Sequence, residues 1–154
     1  MKQKTSHYSF ARKLLIFWTL FISIGAFAGG LSMIIDPSGK SLGMDAMLPY
    51  FQVLPFANVL FQDFFFSGFA LVIVNGITNL IAAILLFKKK KIGTLLGGSV
   101  GITLMLWICI QFYMFEFNLM STIFFVFGLC QAITGFYAWK HFPQENEHDN
   151  AQAE

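Results

Sequence analysis

The sequence predicts an all-α fold: a four-helix transmembrane bundle with a short interfacial helical segment between helices 1 and 2. Three observations carry that expectation. Only 12% of the 154 residues are charged while 56% are hydrophobic, and soluble domains carry roughly 25% charge. The charges that do occur are clustered, which leaves four long uncharged runs of the kind that cross bilayers. The connections between the last three runs are so short that those helices must lie antiparallel as neighbours.

The first run, Leu14 to Ile35, reads "LLIFWTLFISIGAFAGGLSMII" and follows a basic N-terminus, residues 1–13. The others cover about 64–87, 92–115 and 119–139, so 14–140 is expected to form one membrane domain. At about 1.5 Å rise per residue each run can cross a hydrocarbon core about 30 Å thick. The "AFA" at 26–28 after a basic start also resembles a secretory signal peptide with its cleavage site. The apolar run continues to Ile35, which favours an uncleaved helix; cleavage would leave three spans in the same orientation. The end of the chain, 141–154, is acidic and reads as a disordered cytoplasmic tail.

Orientation follows from the basic residues. Lys2, Lys4, Arg12 and Lys13 precede the first span, Lys88, Lys89, Lys90 and Lys91 fill the turn between the second and third, and Lys140 follows the fourth. With four spans all of these fall on one side, and the other side has only Lys40. Both termini are therefore expected in the cytoplasm. The four lysines also attract anionic lipid, at about 1 kcal/mol per charge near the surface. A run this short beside the membrane does not point to nucleic acid.

Residues 36–63 are too apolar for an exposed connection. Asp36-Pro37-Ser38-Gly39 ends the first helix sharply. The stretch that follows is rich in Leu, Phe, Met and Val and is interrupted by Pro49 and Pro55. One or two short helices in the outer interface are expected, acting either as a lid or as filler at the helix ends.

Helices in lipid associate through small residues and polar contacts, and each span shows such a stripe. Gly25 and Gly29 lead to Ser32 and Asp36; Gly93, Gly97 and Gly101 form two GxxxG steps; Ser121, Gly128, Gln131 and Gly135 share a face; Gly68, Asn75, Asn79 and Ala82 share another. Asn75 and Asn79 stand i, i+4, as do Trp107 and Gln111, and Gln131 enters at a depth comparable to Asn75. These amides have two readings: interhelical glue, worth on average about 0.6 kcal/mol per contact, or a pocket for a lipid-like or quinone-like molecule.

Asp36, Asp63 and Glu116 frame the outer mouth. Capping and solvation account for them individually; converging, they would attract a cation, an amine or a proton. Cys109 and Cys130 read as small packing residues, and His7, His141 and His148 lie at the termini, away from any haem within the helices. No catalytic residue, metal site or cofactor is expected.

The layout resembles the broad DoxX-like group of small bacterial four-helix membrane proteins. A glycine-containing first helix, an apolar outer segment with prolines and "GITNLIAAILLFKKKKIG" at Gly76 to Gly93 carry the resemblance. That group commonly has an acidic residue in the second helix, where this chain has Asn79. The resemblance implies a bacterial cytoplasmic membrane location and, from some members, a role beside quinone-linked oxidoreductases. Three functions are therefore carried forward. They are an accessory, non-catalytic subunit with a membrane-protein partner or as a homo-oligomer, a binder or transporter of an amphipathic molecule, and a redox-linked membrane partner.

Overall fold

The computed structural model describes residues 2–115 and 117–143, with side chains from Ser6 onward. Glu116 and the acidic tail beyond Pro143 lie outside the described residues. Four helices are long and apolar enough to cross a membrane: α1, Lys2–Ile35; α2, Phe65–Phe87; α3, Lys91–Met114; and α4, Leu119–Lys140.

The first helix does not begin at the apolar run. It continues back through the basic segment to Lys2, with no Gly or Pro to stop it. Tyr8, Ala11, Leu15, Thr19, Ile22 and Ala26 are all buried and recur every three or four residues, one continuous stripe across the expected boundary. Tyr8 and Ala11 pack on Ala138, with Phe142 beside them, which anchors this extension to the end of α4.

The α2–α3 connection is a tight turn. The Lys90 amide donates to the Leu85 carbonyl at 3.0 Å and the Lys89 amide to Leu86 at 3.1 Å, the paired bonds of a Schellman ending. Its left-handed position, usually glycine, is Lys89 with φ 56°. At the other turn, the Asn118 side chain accepts the Ser121 amide at 2.8 Å and starts α4.

Two helix pairs are drawn together by glycine. A Cβ on Gly135 would lie 2.3 Å from the Gly98 Cα, and one on Gly101 would lie 2.7 Å from the Gly128 carbonyl oxygen, so α3 and α4 touch backbone to backbone. Gly30 and Gly68 do the same for α1 and α2, where a Cβ on Gly68 would lie 2.6 Å from the Gly30 carbonyl oxygen. Gly93 lies against the backbone of Leu85 and Leu86, and Gly97 against the Leu15 side chain. Gly29 makes an ordinary contact with Leu71. Gly25 departs from the packing role expected of it, since a Cβ there would meet nothing within 4 Å. The close approach on α1 occurs one turn later, at Gly30.

The two pairs meet unevenly. The later half of α2, Thr78–Phe87, packs on both α1 and α3, whereas its first turns, Phe65–Leu71, pack on α1 and make little or no close approach to α3. The helices are thus close at the lysine turn and splayed at the opposite end. Residues 36–63 cover that end as 3₁₀ segments Lys40–Leu42 and Asp45–Val53 and a short α-helix, Ala57–Leu60. Leu54 is extended before Pro55, as the proline ring requires. Phe51 and Phe64 bury against Met114, with Met33, Met44, Met47 and Phe61 around them, fixing this cap on the ends of α1, α2 and α3.

The interior holds polar side chains while large apolar ones face outward. Thr19, Ser23, Asn75, Asn79, Thr94 and Gln131 are buried, while Ile24, Ile77, Leu106 and Ile133, one from each long helix, are exposed. Water would penalise such a surface and lipid would not.

Candidate functional site

The amides expected to act together divide between two jobs. Asn79 Nδ2 donates to the Asn75 backbone carbonyl at 2.8 Å, and its Oδ1 accepts from Gln131 Nε2 at 2.7 Å. The same Gln131 nitrogen donates to the Gly97 carbonyl at 2.9 Å, tying α2, α3 and α4 together at one buried point. Gln131 Oε1 has no partner and lines neither cavity described below. This is interhelical glue.

Asn75 is different. It is 1% exposed, yet neither its Nδ2 nor its Oδ1 has a hydrogen-bond partner. It sits in Val72–Ile77, where α2 widens into a π-helical turn before resuming as an α-helix at Thr78. Such turns loosen backbone carbonyls, and hydroxyls satisfy two of them here. Ser23 Oγ of α1 donates to the Gly76 carbonyl at 2.9 Å, and Thr78 Oγ1 donates to Val74. Ser23 was missed from the sequence because nothing marks the π turn that its hydroxyl serves.

Asn75 lines the smaller of two adjoining hollows. A chamber of about 630 Å³ lies beneath the cap, between the splayed halves of α2 and α3. Its walls are mainly Met, Phe and Leu, with Ser67, Gln111, Asn118 and Ser121 as polar points. A smaller hollow of about 170 Å³, the arm, adjoins it and is lined by Ile22, Gly25 and Ala26 of α1 and by Asn75. Leu71, Trp107, Gln111, Met120 and Ser121 line both spaces and mark the neck where the two adjoin. There Ser121 Oγ donates to Gln111 Oε1 at 3.0 Å. Gly25 is thus a wall residue, and its missing side chain is part of the arm.

The chain matches no known family, no characterised protein and no solved structure. What the site can do must come from its own geometry.

Among the described residues no side chain lining either space is charged or titratable near neutral pH. Asp36 and Asp63, at the cap end, are occupied locally. Asp36 Oδ1 accepts the Ser38 hydroxyl at 2.6 Å and the Ser38 amide, and its Oδ2 accepts the Ser41 amide at 2.8 Å. The Ser38 hydroxyl first, and then Ser41, hold this exposed carboxyl down to about 2. Asp63 Oδ1 accepts the Phe65 amide at 2.9 Å and starts α2. Neither lines the chamber. Among the described residues no three His, Cys, Asp or Glu side chains group as metal ligands would, and both cysteines are free.

Proposed function

We propose that this chain is a multi-pass protein of the cytoplasmic membrane that binds a small amphipathic, lipid-like molecule without transforming it. In this reading the four long helices form a transmembrane bundle, the lysine turn and both termini face the cytoplasm, and residues 36–63 cap the bundle at the outer interface. The basic residues near the lysine turn and the apolar exterior support the placement.

One observation carries the binding role: an apolar chamber adjoined by a smaller hollow that an unpartnered buried amide lines. Its 630 Å³ falls within the roughly 300–1,000 Å³ of small-molecule sites, which are apolar with a few placed polar groups. Ser67 and Ser121 are hydroxyls in its walls, and among the described residues no His, Asp, Glu or Lys lines it to activate them, which favours binding over acyl or group transfer. The lack of close packing between Phe65–Leu71 and α3 offers entry from lipid beneath the cap. An accessory role beside another membrane protein finds less support, because apolar exposure is spread over all four helices, as lipid contact demands.

Organic extraction and mass spectrometry of protein purified in gentle detergent test this reading. The wild type should carry a hydrophobic small molecule near one per chain, and Ala70→Trp, which fills the chamber wall, should carry several-fold less. Extracts of the two that match each other or a detergent blank would overturn it.

A further inference from the structure

The ligand's polar head can be specified further, on the premise that the chamber binds an amphipathic molecule. We infer that the narrow arm receives the head and the chamber the hydrocarbon, and that the head is an uncharged group able both to donate and to accept, a hydroxyl above all.

Asn75 presents an N–H₂ donor and a carbonyl acceptor, and both lack partners although the residue is 1% exposed. A buried polar group left so is costly, and burial with a matched partner removes the cost. The head is uncharged because the arm is walled around Asn75 mainly by apolar residues such as Ile22, Ala26, Leu104 and Ile108, with Gln111 and Ser121 at the neck, and no charged side chain lines it among the described residues. An ion entering it would lose its water with nothing to replace it. The head is a donor as well as an acceptor because Oδ1 needs an incoming O–H or N–H. An ether, an ester or an oxidised quinone brings only acceptors and would leave Oδ1 unpaired. One hydroxyl can donate to Oδ1 while accepting from Nδ2.

Size and order agree with this placement. The arm, at about 170 Å³, is close to the cavity of about 150 Å³ that admits benzene in a dry protein core, so it holds a head of a few heavy atoms. The larger chamber holds the tail, and the Gln111–Ser121 pair at the neck offers polar contact to a second oxygen just behind the head.

The test is equilibrium binding to the full chain in lipid nanodiscs, using a radiolabelled long-chain primary alcohol, its methyl ether and the alkane of equal length. The wild type should prefer the alcohol over the ether by about 10-fold or more, since only the alcohol pairs Oδ1. Asn75→Leu should bring that ratio close to one while keeping the ether bound. Equal binding of alcohol and ether by the wild type would overturn the inference and leave water alone as the partner of Asn75, with the chamber still a binding site. Failure of all three probes to bind would remove the chamber reading itself. The wild-type ratio decides even where the variant fails to fold.

Discussion

Asn79 and Gln131 stand 52 positions apart in sequence and meet through a 2.7 Å hydrogen bond inside the helices. Gln131 adds the Gly97 carbonyl to the same nitrogen, so one side chain serves two helices. A double-mutant cycle on Asn79→Leu and Gln131→Leu, read by equilibrium unfolding in mixed detergent, should give a coupling of about 0.6 to 1.7 kcal/mol, the span of measured membrane contacts. A coupling indistinguishable from zero would show that the bond does not hold the helices. The i, i+4 spacing of Asn75 and Asn79 placed both on an inward face from sequence alone. Their separate roles were not legible there. Asn79 lies opposite Gln131 where α2 and α3 are close, and Asn75 lies where a π turn and the splay of the helices leave the arm.

Glycines decide the next scale, and their effects differ by position along a helix. Gly135→Ala should destabilise the protein by about 1–3 kcal/mol, because its Cβ would overlap the Gly98 backbone and force α3 from α4. Gly25→Ala should be neutral or stabilising by up to about 1 kcal/mol, because open space surrounds it and alanine is the better helix former. Thermal unfolding of the two variants checks the pair; equal losses would contradict the packing. Glycine spacing in the sequence marks both helices as sticky but does not rank the positions. Gly98 and Gly30 were passed over and Gly25 chosen because GxxxG spacing gives the face of one helix only. The crossing point depends on the partner's register. The helical N-terminal extension was legible in principle, since its buried stripe keeps helical period straight through Arg12 and Lys13.

For the whole molecule, the proposed arrangement makes a directional prediction. In a cysteine-free background, Ser41→Cys should react with an impermeant maleimide on intact cells, and Lys90→Cys only after permeabilisation. The reverse pattern would invert the proposed orientation. The same arrangement explains why the hollow lies where it does. The four-lysine turn holds α2 and α3 together at one end, Gly30 and Gly68 draw the start of α2 toward α1, and Gly98 and Gly101 draw α3 toward α4. The two helices are pulled apart at the far end, and an apolar cap closes over the gap. Composition and period determined the number of long apolar helices and, apart from the N-terminal extension of α1, their approximate bounds, and the placement of the basic residues supports a direction through the membrane. These depend on one segment at a time, through hydrophobicity and local charge. Only the tertiary structure decided which glycines touch, which amide pairs and which is left over, because each depends on where a second helix crosses the first.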